Sequence, residues 1–520
     1  MPKGSPIRRL DDVVPSLHGR SAEGREFDAT LASARLAWSQ AGYDEVVREL
    51  SGRSEPEARI LLARTLLRLR EFAAVGEVLR GATFEDPDDA GSAAILRAAA
   101  AERADATGAT RFTPQLPAEA GPLVRAAAEY YAALSAWTHG DLAGAIAHAE
   151  RAVDRGDADV RALGTELQAW IEASNHRPAT AIAKFLETLD NLGGAYRDEY
   201  VRANTLRGLA FFACGSFDVA VLPRLVAESA TLRPTAAIAR SCISAQQSIA
   251  RLHALVGDDA ACYETLLGAR AVEAPEPFAA LIDVALAEFL QRRGNTDAAA
   301  LHRDIAFRRL ESAAWSAADL EARLVPVLFA FESAAAGDPR AGRALTKALS
   351  VAGKRDPILA FEHDERAAAF ALFARGRIAA SRGKSEVAVA DIRKAVAFWQ
   401  RCGDRLMFCE GSLELMRIEG ESAPSRALAA ELHEIPRSWL SKEAERLAAP
   451  SKSPRAQLTP AEARVLDKIC EGLTSRQISK TLGRSPSTVR NQTISIFRKL
   501  DVNTRAALVA RVMDSGARRG

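Results

Sequence analysis

Residues 458–512 read LTPAEARVLDKICEGLTSRQISKTLGRSPSTVRNQTISIFRKLDVNTRAALVARV, and local chemistry alone divides them into four short helices. Thr459, Pro460 and Glu462 supply a side-chain acceptor at the N-cap, a proline at the first helical position and a carboxylate at the third. That is a capping box with its anion at the positive helix end. Ala463, Leu466, Ile469 and Cys470 follow at helical spacing, and Gly472 offers a left-handed stop. A second box, Thr474 to Gln477, opens a short helix carrying Ile478 and Leu482 that ends at Gly483. Ser485 and Pro486 start a third, with Val489, Ile496, Phe497 and Leu500 inward. Asn503 is placed to cap a fourth, with Leu508, Val509 and Val512 inward.

Two helices across a tight glycine turn, the second of them long, make a helix-turn-helix. The third helix, roughly 15 residues and so about 22 Å long, suits a DNA major groove. Its outer face carries Arg490, Asn491, Ile494 and Arg498. These side chains can meet base edges, a thymine methyl and phosphates. The plainer alternative is a helical hairpin that merely closes a helical protein.

The pattern L-T-x-x-E-x-x-V-L, then G-L-T-x-x-x-I, L-x-x-S-x-x-T-V-R-N and I-F-R-K-L-x-V-x-T-R-A-A-L-V closely resembles the LuxR-type (GerE-type) DNA-binding domain of bacterial transcription regulators. A sigma-factor region is the nearest confusable fold, but the KLDVNTRAALV continuation is not expected there. The resemblance implies that Arg490 and Asn491 face bases, with Ile494 one turn on. It places Thr488, Lys499 and Arg505 where such domains contact the DNA backbone, and makes Thr504 to Asp514 the usual dimer contact. Three departures stand out: Gln492 where histidine is common, Ser479 where alanine is common, and the order Thr493–Ile494 where an apolar residue normally precedes a polar one. The last puts Thr493 in a partly buried position and Ile494 on the DNA side, which alters the expected base preference and not the fold.

At 520 residues the chain is far longer than this module and suits about three units. A hydrophobic content of 48% supports large cores. No apolar run is long enough to span a membrane, and MPKGSPIRRLDDVVPSLHGRS lacks an apolar signal core and reads as a loose arm. The six cysteines form no CxxC pair and sit in apolar helical settings, as buried free thiols in a reducing cytoplasm would. The net charge of +2 hides an asymmetry: residues 455–520 hold 13 Lys+Arg against 5 Asp+Glu, a net +8 that leaves −6 for residues 1–454. A basic module on an acidic body is the distribution that local phosphate binding requires.

From about Thr30 to Leu447 the chain is Ala- and Leu-rich and helical in pattern. Pairs of amphipathic helices recur around polar turns, as in YYAALSAWTHGDLAGAIAHAERAV and IAASRGKSEVAVADIRKAV. With Tyr43, Phe72, Leu142, Pro178, Phe217, Asp259, Thr296 and Ser385 as equivalent points, spacings are 29, 70, 36, 39, 42, 37 and 89. The two long intervals each suggest a weaker hidden copy, near Thr107 and near Pro339. A period between about thirty and the mid forties indicates a helical solenoid. The copies resemble tetratricopeptide repeats, although most W, Y and P landmarks are missing. Stacked pairs leave a face for peptides, proteins or small effectors. Tyr130, Tyr131, Trp137, Trp170, Phe211 and Phe212 are aromatic candidates there, but helical spacing favours repeat core for each.

Gly383-Lys384-Ser385 invites a phosphate-loop reading. The glycine such a loop needs at 378 is Ile378, and Gly376 leaves six intervening residues where four are required. His363-Asp364-Glu365 and His433-Glu434 lack the second histidine of a metal helix. No catalytic set, metal site or cofactor is expected. Some large LuxR-type regulators join a nucleotide-hydrolysing domain to helical repeats and the same DNA-binding end, and this chain resembles the latter two parts.

The expected protein is all-α and cytoplasmic: an arm (1–29), a TPR-like solenoid (30–447), a linker (448–457) around Pro450–Pro454, and a LuxR-type helix-turn-helix (458–515). Its partners would be double-stranded DNA, bound as a homodimer, and an effector or partner protein at the repeats. An interaction scaffold whose helix-turn-helix reads no DNA is the alternative.

Overall fold

The structure is a computed structural model describing residues 29–105, 109–192, 198–313, 320–351, 353–361, 364–421, 423–448, 458–500, 502, 504–509 and 512. The expected arm up to residue 28, the linker from 449 to 457, Thr107, His363, Asn503 and Asp514 lie outside them. The described residues are all-α, with no strand among them.

Antiparallel pairs dominate. Helix α1 (Ala29–Ser39) returns on α2 (Tyr43–Leu50), and α3 (Pro56–Arg68) on α4 (Phe72–Leu79); α5 (Pro87–Ala104) follows singly. Then come α6 (Pro122–Thr138) with α7 (Leu142–Arg155), α8 (Ala158–Ser174) with α9 (Pro178–Leu192), and α10 (Glu199–Ser216) with α11 (Leu222–Ala230). The series continues with α12 (Ala239–Leu255) and α13 (Asp259–Arg270), α14 (Phe278–Arg292) and α15 (Thr296–Ser312), and α16 (Leu320–Ala335) and α17 (Ala341–Ser350). After the short α18 (Pro357–Ala360), α19 (Glu365–Ser381) pairs with α20 (Ser385–Cys402). From α6 onward the first helix of each pair also packs on the first helix of the next, the nearest-neighbour stacking of a solenoid. Helices α21 (Arg405–Glu419), α22 (Arg426–Glu434) and α23 (Trp439–Ala448) follow. Two compact units result: one runs to Gly411 and takes in Arg437–Trp439, and the other holds Ser412–Pro436 and the residues from Leu440 onward.

Seven of the eight points used to index the repeat begin the second helix of a pair: Tyr43, Phe72, Leu142, Pro178, Asp259, Thr296 and Ser385. The eighth, Phe217, closes α10 at φ +61°. Two residues before each of the seven, the backbone turns left-handed: Gly383 does so at φ +73°, but Arg70 also does, at φ +66°. The same turn is therefore built with and without the glycine that makes it inexpensive. Gly383-Lys384-Ser385 is that turn, between two helices. The hidden copy expected near Pro339 is the α16–α17 pair. The one expected near Thr107 is not a helix pair: residues 109–121 are non-helical. Pro114 and Pro117 account for this, since each removes a backbone donor and disfavours the helical region for its predecessor.

Close helix crossings explain small residues between neighbouring pairs. A Cβ at Gly208 on α10 would lie 2.3–2.9 Å from three ring atoms of Phe185 on α9. Trp170 meets Phe185 and Phe212 edge-on at 5.2 and 6.0 Å, and Tyr130 meets Tyr131 at 5.2 Å. These candidate pocket aromatics are thus packed on one another and on the repeat core. A second fixed point is Asp198, fully buried, which receives Arg68 at 2.5 and 3.1 Å while capping α10 through the N–H groups of Tyr200 and Val201. All six cysteines are free, five of them buried.

Candidate nucleic-acid interface

Beyond residue 457 lie α24 (Pro460–Cys470), α25 (Ser475–Thr481) and α26 (Pro486–Lys499), with residues 505–509 and 512 also helical. Both capping boxes form: Thr459 with Glu462 on α24, and Thr474 with Gln477 on α25. Ser485 caps α26 by accepting the Thr488 N–H at 3.1 Å. In the last helical stretch Thr504 Oγ1 accepts the Ala507 N–H at 3.1 Å, the role expected of Asn503. Val465, Leu466, Ile469, Ile478, Val489, Ile496, Leu500 and Leu508 form the buried core.

That core consumes one face of α26 and leaves the other to solvent. Arg490, Asn491, Ile494 and Arg498 are all exposed and, at about 100° per residue, fall within an arc of roughly 100°. Ile494 is 57% exposed, unusual for a large apolar side chain. Its neighbour Thr493 is half-buried and donates its hydroxyl to the Val489 carbonyl at 2.8 Å. Gln492 accepts from Arg484 at 2.9 Å. Ser479 is buried, and its extra hydroxyl is satisfied by the Arg484 carbonyl at 2.5 Å.

The other three candidates are engaged within the domain. Thr488, exposed, has its hydroxyl 2.7 Å from that of Ser485. The Lys499 ammonium donates to Glu462 at 2.6 Å. Arg505 donates to the carbonyls of Ile469, at 3.1 Å, and Leu473, closing the C-terminal end of α24.

Glu462 is the residue whose importance local reading understates. Only 6% exposed, its carboxylate accepts from Thr459 N–H and hydroxyl at 2.7 and 2.9 Å, from Ser495 at 2.6 Å and from Lys499 at 2.6 Å. It joins α24 to α26. The Lys499 ammonium and then the Ser495 hydroxyl hold its pKa down to about 2, against the opposing effect of burial. The capping box was visible in the sequence, whereas the contacts from 33 and 37 residues away had no local signal.

Residues 456–512 match the family described as bacterial regulatory proteins, luxR family (GerE), and this segment is a LuxR-type helix-turn-helix domain. No curated protein matches the chain. Among solved structures, the crystal structure of the APC/C hetero-tetramer Cut9-Hcn1 is similar over 93% of this chain and 96% of that one, at 11% identity and a TM-score of 0.30. So slight a likeness carries no argument; the helix-pair stacking rests on the chain's own packing. Among the described residues no group of His, Cys, Asp and Glu is placed to hold a metal, and no helix is long and apolar enough to cross a membrane.

Proposed function

We propose that this chain is a cytoplasmic, sequence-specific DNA-binding transcription regulator. In this reading α26 enters the major groove, with Arg490, Asn491 and Ile494 toward base edges. Thr488 and Arg498 meet the phosphate backbone. Lys499 and Arg505 do so with the donors left over from their bonds inside the domain, since an ammonium has three and a guanidinium five. The observation that carries the reading is the exposed Arg490–Asn491–Ile494–Arg498 face, set opposite a closed apolar core within a LuxR-type segment. The net +8 of residues 455–520 supplies the salt-dependent affinity.

Two copies dimerise through the helix after Thr504 and read half-sites about one helical turn apart. Residues 30–447 sense an effector or dock a partner protein, 448–457 act as the joint, and 458–515 form the DNA-reading module. Selection of binding sites from random duplex DNA by the full chain tests this. One enriched two-fold-symmetric site supports it. No enrichment and no binding at low salt overturns it in favour of an interaction scaffold.

A further inference from the structure

Helix α26 turns one face to solvent, and the middle of that face is apolar. Taking about 100° per residue from Arg490, Ile494 lies at about 40°, Arg498 at about 80° and Asn491 at about 100°, so Ile494 falls among the polar three in angle. Along the axis it stands between the two arginines, about 6 Å from each. The apolar core does not use it: Val489, Ile496 and Leu500 are buried there, roughly 120–160° away around the helix. Thr493, the neighbour that turns inward, has its hydroxyl satisfied by the Val489 carbonyl. A polar side chain thus lies toward the core and a branched apolar one points outward, where a partner filling this face meets it most directly.

In the reading proposed above, on which this inference rests, that partner is the major groove. Base edges there offer donors and acceptors, and the apolar group among them is the C5 methyl of thymine. Ile494 set against a polar edge would strip it of water and return no hydrogen bond, a net cost. Set against a methyl, it buries apolar surface on both sides. We infer that Ile494 makes this face a reader of C5-methylated pyrimidines, so that each half-site carries a thymine, or equally a 5-methylcytosine, opposite it. The equivalence follows from what isoleucine lacks. With no donor or acceptor it does not distinguish the exocyclic oxygen of thymine from the amino group of cytosine, and it meets the methyl that thymine and 5-methylcytosine share. Its β-branch leaves one favoured rotamer in a helix, so little side-chain entropy is lost on contact. Cytosine methylated at that position would therefore be bound more tightly than cytosine, and affinity depends on the methylation state of the DNA as well as on its sequence.

The test uses the full chain and the site it selects from random duplex DNA. Each thymine of that site is replaced in turn by uracil, which removes the methyl and keeps the pairing. One position per half-site should lose affinity about fourfold, and both together roughly fifteenfold, the worth of one and two buried methyl groups. At that position a 5-methylcytosine–guanine pair should bind about fourfold more tightly than cytosine–guanine. Ile494→Ala should bring both ratios to about one, whereas Ile494→Val, which keeps a branched apolar tip, should preserve most of each. A selected half-site without such a thymine, uracil tolerated at every position, or a methyl preference that survives in Ile494→Ala overturns the inference and leaves the regulator reading standing. Failure to enrich any site overturns both.

Discussion

Replacing Glu462 by glutamine tests whether one carboxylate holds the helix-turn-helix domain together. The side chain keeps its shape but loses its charge, and an amide nitrogen must face donors where an oxygen accepted them. A carboxyl pKa held at about 2, against an ordinary value near 4.3, corresponds to roughly 3 kcal/mol of folded-state preference for the anion. Lys499 is 33% exposed, and solvent screening brings the expected loss to about 2 kcal/mol. The sign follows from the depression. The contribution is complete above the unfolded carboxyl's pKa, falls to about half at pH 3, and is lost as pH drops through 2. Hydrogen exchange on the full chain reads this locally: amides of α24 and the C-terminal half of α26 should open about 2 kcal/mol more easily in Glu462→Gln at pH 7. The gap between variant and parent should narrow toward pH 3, after correction for intrinsic exchange rates. Unchanged protection at pH 7, or a gap that does not shrink with acid, would refute the electrostatic account.

Arg490→Ala should cost roughly 1–3 kcal/mol on the preferred DNA site and relax preference at one position; competition binding against single-base variants reads this, and an unchanged preference removes Arg490 from base reading. Gly208→Ala should destabilise the first unit by about 1–3 kcal/mol by driving a methyl into the fully buried Phe185 ring. The helix-propensity gain of about 1 kcal/mol offsets only part of that, so the melting temperature should fall. Arg68→Met should cost about 3–5 kcal/mol in chemical denaturation, because it removes the guanidinium charge paired with the buried Asp198 carboxylate while retaining much of the packing volume over Trp38.

What could be read from sequence follows the range of the interactions involved. Caps at Thr459, Thr474 and Ser485 depend on residues three apart, and all three form. The orientation of Thr493 and Ile494 was likewise legible, because helical period and a buried Val489 and Ile496 fix which way each points. The repeats were legible for a related reason: each pair packs on its neighbours, so the turn recurs even where Arg70 or His176 replaces glycine. The copy expected near Thr107 rests on interval length, and Pro114 and Pro117 break the helix that length alone suggests.

Contacts between distant segments were illegible on the same principle. Nothing near Lys499 shows that its ammonium is tied to Glu462, and nothing near Arg505 shows that it closes the end of α24. The family resemblance implies a DNA-backbone contact for both. The structure makes each a bond within the domain first, so their substitution confounds two effects: weaker phosphate contact and a looser α26. Arg490 and Arg498 are exposed on the same helix, and among the described residues neither makes a bond of that kind. A salt-dependence series should therefore be built on that pair. A shallower salt slope at unchanged protection measures phosphate contact, whereas the same slope change in Lys499→Met accompanied by lost protection measures the Glu462 bond.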